Sequence, residues 1–248
     1  MFNKEMLTVE EVATYLRTTP NTVYRWLRAG KLSGVKIGKE WRIKQETLSA
    51  FIDDDKQIGA KRKNCYDALD PNSDHALVIT TSAEELYDFE ADYFKEGLSR
   101  GHRLFKGCWW QHTDDVRKEL DARDIPVDDL ENKDVLTIVD LSSMYKTSGV
   151  SKPVQSWSDE AKKTVRLGYS TMWGSGSPHL LSCDGDVASL VRFEQILDST
   201  LKNLPVVGIC PYIFEDCLKE IFSPLVDLIN YHSSVIFYDH GKTACLKN

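Results

Sequence analysis

Residues 7–43 read LTVEEVATYLRTTPNTVYRWLRAGKLSGVKIGKEWRI, and their pattern decides the fold of the N-terminal part. Thr8 stands as an N-cap, Glu11 three positions on completes a capping box, and Leu7 with Val12 suits a hydrophobic staple. Val9, Val12, Ala13 and Leu16 recur at i, i+3, i+4 and i+7, which is one apolar helical face ending near Arg17. A second helix starts at once, with Thr19 as N-cap and Pro20 at the first position, where its missing N–H costs nothing. Val23, Trp26 and Leu27 form its buried face and Gly30 stops it. Two short helices with so tight a join predict a helix-turn-helix arrangement. Val35 and Ile37, then Trp41 and Ile43, alternate with basic residues around Gly38-Lys39. That pattern predicts a β-hairpin with an apolar inner face and a basic outer one. Leu48, Phe51 and Ile52 mark a third helix closing the small core.

The outward positions of the second helix carry chemistry suited to a nucleic acid. Asn21, Thr22, Tyr24, Arg25 and Arg28, with Thr19 at the helix start, are the candidates for base edges and phosphates in a major groove. Lys36, Lys39 and Arg42 of the hairpin are candidates for the backbone. Charge agrees. Residues 1–63 carry 13 Lys and Arg against 8 Asp and Glu, whereas the remainder carries 18 against 30. A basic head on an acidic body predicts double-stranded DNA as the partner at one end only. The Lys61-Arg62-Lys63 cluster reads as a solvated charge run.

The succession T-x-x-E-x-A, N-T-V-Y-R-W, G-K-L, I-G and W-R-I resembles the excisionase/MerR-type winged helix-turn-helix family almost without gaps. The resemblance implies DNA binding, with the second helix at the groove and the hairpin at the backbone.

The domains are expected at 1–52 for the head, 53–74 for a polar, aperiodic linker and 75–248 for the body. From His75 the chain alternates strand and helix signals. HALVITT, RLFKGCWW, VLTIVDLSS, YSTMW, PVVGIC and SSVIFYD read as strands. Helices fall after Ser82, at 113–124, within SDEAKKTVRLG, along Val187–Leu197, and in FEDCLKEIFSPLVDLINYH, interrupted at Pro224. Such alternation predicts an α/β sandwich around a largely parallel sheet. The 42% hydrophobic content supports a real core, and no apolar run approaches the ~18–20 residues of a membrane span. The first twenty residues lack a signal-peptide pattern, so a cytoplasmic protein without membrane contact is expected.

Several chemistries are disfavoured. Where a nucleotide-binding domain places G-x-x-x-x-G-K-S/T after its first strand, this chain has TTSAEELYD, without glycine or lysine. Gly241-Lys242-Thr243 has Ile236 where the first glycine belongs and little chain beyond it. The six cysteines (65, 108, 183, 210, 217, 245) include no C-x-x-C pair, and Cys210 before Pro211 has no evident base, so it reads as core packing. The histidines show no H-x-x-x-H or H-E-x-x-H spacing. No catalytic residue, cofactor or metal site is therefore assigned. Only tertiary folding would join His75, Cys210 and His232 into a metal site.

Aromatic residues at predicted strand ends are more informative. Trp109, Trp110, Tyr145, Trp173 and Tyr212 fall where ligands of open α/β sheets bind, and they predict a pocket for a small, mostly apolar effector. His75, Glu194 and His232 are the candidate polar groups that orient it. Residues 75–239 also resemble the MEDS domain, the sensory domain of DcmR-type regulators of methylotrophs and methanogens. The resemblance rests on His75, YFKEGLSRGHRLF, the Tyr145 to Gly149 segment, AKKTVRLGYSTMW, RFEQIL around Glu194, GICPY and His232. It implies a RecA/KaiC-like sandwich lacking the phosphate loop and a role in sensing small hydrocarbon derivatives. The expectation is a DNA-binding regulator with an α/β sensor, not an enzyme, and a homodimer on DNA. The alternatives are a cysteine- or metal-based redox sensor and a KaiC-like enzyme with a DNA-targeting head.

Overall fold

In a computed structural model the chain divides into two compact units, Met1–Asn64 and Cys65–Asn248. The described residues are 6–28, 30–52, 66, 69, 74–178, 183, 186–213 and 222–247. The Lys61-Arg62-Lys63 run, Cys65, Cys217 and the 214–221 part of the last expected helix lie outside them.

The head contains β1 (Met6–Leu7), α1 (Val9–Tyr15), α2 (Pro20–Arg28), β2 (Val35–Ile37), β3 (Glu40–Lys44) and α3 (45–52). The Thr8 capping box forms in full: Glu11 N–H donates to Thr8 Oγ1 at 3.1 Å and Thr8 N–H to Glu11 Oε2 at 2.9 Å. Val12, Ala13, Val23, Leu27, Leu32, Ile43 and Leu48 make one core. The strands run β1-β3-β2, all antiparallel.

The hairpin departs from its expected faces. The turn pairs Ile37 with Glu40, so Val35 lies opposite Arg42 and Lys36 opposite Trp41. Cross-strand partners share a face. Val35 and Ile37 therefore stand with Arg42 and Glu40 on the outside, 52% and 58% exposed, while Trp41 and Ile43 turn to the core. Alternation within each strand was legible; the register between them was not.

The body contains β4 (His75–Thr80), α4 (Ala83–Ser99), β5 (Arg103–Cys108), α5 (Thr113–Asp121), α6 (Val127–Asn132), β6 (Leu136–Asp140), α7 (Leu141–Ser148) and α8 (Ser151–Arg166). It continues through β7 (Met172–Ser175), α9 (Val187–Leu201), β8 (Val206–Ile213), α10 (Phe222–Asn230), β9 (Ser234–Asp239) and β10 (Lys242–Lys247). The strand order is β10-β9-β4-β8-β7-β5-β6, parallel throughout except for the β9–β10 hairpin. The core of α4, α5 and α6 against one sheet face holds Ala76, Val78, Phe89, Tyr93, Trp173 and Val207. The core beneath α7, α8, α9 and α10 on the other face holds Leu77, Ile79, Trp157, Phe193, Cys210 and Tyr212. Period-two alternation along β4, β7 and β8 thus deals side chains to two helix layers, as a sheet buried on both faces requires.

Three elements differ from the sequence reading. The 242–247 segment is a strand: His240 (φ 49°) and Gly241 (φ 76°) form a two-residue turn with both φ positive, the hairpin geometry that favours glycine. The supposed phosphate-loop remnant is therefore a β-turn. Residues 141–148, of which 141–143 read as the end of a strand, form a helix capped by Asp140, whose carboxylate accepts the Ser143 N–H at 2.9 Å. The described part of the last helix, Phe222–Asn230, has Pro224 in its first turn and is continuous from there. Tyr66 and Leu69, read as linker, are buried in the first body core.

Candidate functional site

In the head, α2 leaves Asn21 and Arg28 exposed, with Tyr24 and Arg25 half-buried along the same helix. Thr22 is a correction. It is buried, its hydroxyl lies 2.9 Å from that of Thr19, and its N–H donates to Thr19 Oγ1 at 3.2 Å. It serves the start of α2, because position 22 lies one residue from Val23 on the inward side. Thr19, Lys36 and Lys39 are exposed, and Arg42 is half-buried in an ion pair with Glu40 at 2.5 Å.

In the body, β4 passes into α4 through Thr81 and Ser82 alone. Ser82 Oγ accepts the Glu85 N–H at 3.3 Å, but Glu85 does not reach back to complete a box. Its buried carboxylate takes the Thr81 hydroxyl and the His240 N–H, the latter at 2.6 Å. An acid thus fills the helix start where a phosphate loop would cradle an anion.

The expected aromatic pocket does not assemble. Trp173 lies on the α4 face, with Tyr93 at 4.7 Å between ring centroids and its indole N–H donated to His102 Nδ1 at 2.8 Å. Trp109 and Tyr212 are buried on the opposite face, Tyr145 half-buried there, and Trp110 39% exposed. Trp173 is the second residue of β7, paired with Val207 near the start of β8, and not at the carboxyl end where the YSTMW strand puts it; alternation along β7 then turns it to the α4 face. Trp109 and Tyr145 do meet, at 5.8 Å, and Trp109 packs edge-on to Phe193 at 4.9 Å. Among the described residues the buried Trp109 indole N–H has no hydrogen-bond partner. Tyr145 also lines a cleft of 560 Å³ among α7, α8 and α9, with Val154, Gln155, Ser158, Arg192 and Ile196.

The polar candidates converge elsewhere. His75 opens β4, Glu194 lies on α9 and His232 just precedes β9. They meet Cys210 and Tyr212 of β8, whose register sets Cys210 beside Leu77. Cys210 donates to Glu194 Oε2 at 3.1 Å, Tyr212 to Glu194 Oε1 at 2.6 Å, and His75 Nε2 lies 3.0 Å from Cys210 Sγ. The Nε2 atoms of His75 and His232 stand 3.6 and 3.7 Å from Glu194 Oε2. Burial pushes Glu194 up to about 7 against the opposing hydrogen bonds from Tyr212 and Cys210. Burial also pulls His232 down to about 4, and burial with the neighbouring His232 holds His75 well below its usual value. Burial, then Glu194, lifts the Cys210 thiol far above the ordinary range. The two imidazoles are neutral at pH 7, with lone pairs to offer, and the thiol is no nucleophile.

A second buried charge cluster escaped the sequence reading. Lys106 Nζ lies 2.5 Å from Glu90 Oε1, which also accepts the Ser175 hydroxyl, and Lys106 and Glu90 are almost wholly buried. The available signal was a lysine inside the apolar strand RLFKGC.

Among the described residues no helix is long and apolar enough to cross a membrane. No curated protein sequence matches the chain. A solved structure, that of a KaiC-like protein from the hyperthermophilic archaeon Pyrococcus horikoshii, matches with a TM-score of 0.51 at 13% identity. The match covers 66% of this chain and 70% of that one. It supports a RecA/KaiC-like sandwich, built here without the phosphate loop. A family model described as a helix-turn-helix domain matches residues 6–56. Another, described as the methanogen/methylotroph DcmR sensory domain, MEDS, matches residues 74–232. Its span takes in both the cleft and the buried cluster, and the chain belongs to the MEDS family, with a helix-turn-helix domain at its N-terminus.

Proposed function

We propose that this protein is a one-component transcription regulator whose DNA affinity is set by a small, mostly apolar molecule bound at the α7–α8–α9 cleft of the body. The observation that carries the reading is the Trp109 indole N–H. It is buried and has no partner among the described residues, and its ring stands 5.8 Å from that of Tyr145, which lines the cleft while Trp109 does not. Buried donors are normally satisfied, and an acceptor on a bound effector would satisfy this one. Val150, Val154 and Ile196 supply apolar lining, while Gln155, Ser158, Arg192 and Thr200 make the rest of the cleft polar, so the effector must carry hydrogen-bonding groups beside its apolar body. A redox switch on Cys210 is disfavoured, since oxidation proceeds through an accessible thiolate and this thiol is buried and held protonated. A nucleotide-hydrolysing role is disfavoured by the acid at the start of α4.

The test is to release small molecules from the purified full chain, identify them by mass spectrometry, and titrate operator DNA with and without them. A tenfold change in DNA affinity corresponds to ~1.4 kcal/mol of coupling. Trp109→Phe, which keeps the ring bulk and removes the donor, and Tyr145→Ala should each blunt the response and leave effector-free DNA binding unchanged. Wild-type responses in both variants would place the effector elsewhere.

A further inference from the structure

We propose that His75, Glu194, Cys210 and His232 are the ligands of a buried, four-coordinate divalent metal site of the zinc class. The four side chains come from β4, α9, β8 and the turn before β9, and their ligand atoms all lie within 4.8 Å of one another. Two imidazoles, a thiol and a carboxylate form a mixed nitrogen, sulfur and oxygen set. That set suits a borderline-soft ion and not magnesium or calcium, which take oxygen ligands.

Hydrogen bonds through Cys210 account for only part of this convergence. Both Nε2 atoms approach the same carboxylate oxygen at 3.6 and 3.7 Å, beyond hydrogen-bonding distance. Bonds of about 2.0–2.1 Å to nitrogen and oxygen at a tetrahedral centre hold neighbouring donors roughly 3.3–3.4 Å apart, and slightly more where sulfur is involved. The distances around Glu194 Oε2 and Cys210 Sγ, from 3.0 to 3.7 Å, bracket that spacing.

The surroundings aim the ligands. His232 Nδ1 lies 2.6 Å from the Leu228 carbonyl, which can only accept, so Nδ1 carries the proton and Nε2 keeps its lone pair toward Glu194. Tyr212 holds Glu194 Oε1 and leaves Oε2 to the cluster. A divalent ion would balance one thiolate and one carboxylate, taking the place of the thiol and carboxyl protons, which leave to solvent on binding. With four protein ligands the site is closed, which is the form structural metals take, and it would clasp α9 to the β4–β8–β9 part of the sheet. Arg192 and Ile196 of the cleft lie on that same helix, but the inference does not depend on the effector reading.

The experiment is a cobalt(II) titration of the full chain after chelation and dialysis. The expected result is saturation at one equivalent per chain, with thiolate-to-cobalt charge transfer and the intense visible bands of tetrahedral cobalt, reversed by zinc. Cys210→Ser should remove the charge-transfer band. Should that variant not fold, Tyr212→Phe, which leaves all four ligands in place, should still weaken affinity about 10-fold. A folded wild-type chain without a stoichiometric charge-transfer band would overturn the site, as would a band surviving in Cys210→Ser or unchanged affinity in Tyr212→Phe.

Discussion

At the scale of single residues, the exposed Arg28 and the buried Thr22 of α2 are expected to divide recognition from folding on one helix. Arg28→Ala, at an exposed position, should weaken specific DNA binding by ~1–3 kcal/mol in a mobility-shift titration at fixed salt, with an unchanged melting temperature. Thr22→Ala should instead lower the melting temperature of the head, because its hydroxyl is buried against Thr19. In the body, a Cβ at Gly174 would come within 2.3 Å of the buried Trp157 ring. Gly174→Ala should therefore cost about 1–3 kcal/mol or more in a urea titration. Cys108 makes a pH prediction. Burial raises its thiol to about 11, only partly offset by Lys106, so folding favours the protonated form. That contribution is full below the unfolded value of about 9 and lost as pH rises through 11, a change of about 2–3 kcal/mol by linkage. Stability of Cys108→Ala measured from pH 8 to 11 should fall less steeply than that of the wild type.

Single elements are held by groups that reach across layers. Arg103 on β5 is fully buried, donates to the Asp134 carbonyl at 2.7 Å and to Thr137 at 2.6 Å, and pairs with Glu160 of α8 at 2.6 Å. One side chain thus joins β5, the approach to β6, and α8. Arg103→Met should cost about 3–5 kcal/mol, since it strands buried acceptors and leaves Glu160 without its ion pair; chemical denaturation of the variant would show it. Element type was the part most legible in the sequence. Capping at Thr8 and Ser82, and apolar period along α1, α4 and α9, placed those helices. The misses have physical reasons. The first three residues of the α7 segment LSSMYKTS read as part of the preceding strand, because the helix start depends on Asp140 acting as a cap at the end of β6. The Val35 and Ile37 faces went wrong because a turn, not composition, sets register.

For the whole molecule, the turn between β4 and α4 has no glycine or lysine, and its place is taken by the Glu85 carboxylate. Calorimetry should therefore show no micromolar ATP affinity, because Glu85 sits at the start of α4 with its carboxylate already hydrogen-bonded. A single small head buries little DNA surface, so paired heads are expected on an operator, and light scattering should find a dimer at micromolar concentration. Within the body the period-two pattern fixed which residues of each strand share a face: His75, Leu77 and Ile79 on one side, Ala76 and Val78 on the other. Together with the capping signals, the alternation of elements and the glycine-free turn after β4, this let the sequence alone determine two domains, a helix-turn-helix and a loop-less α/β sandwich. It did not determine which strands are neighbours. Residues 75 and 210 are 135 positions apart and become partners only because β4 inserts between β8 and β9. Trp173, expected at a strand end, lies instead near the start of β7 and faces α4. Local periodicity follows from backbone geometry within a few residues. The convergence of His75, Glu194, Cys210 and His232 depends on strand order, which is settled by packing the whole sheet at once.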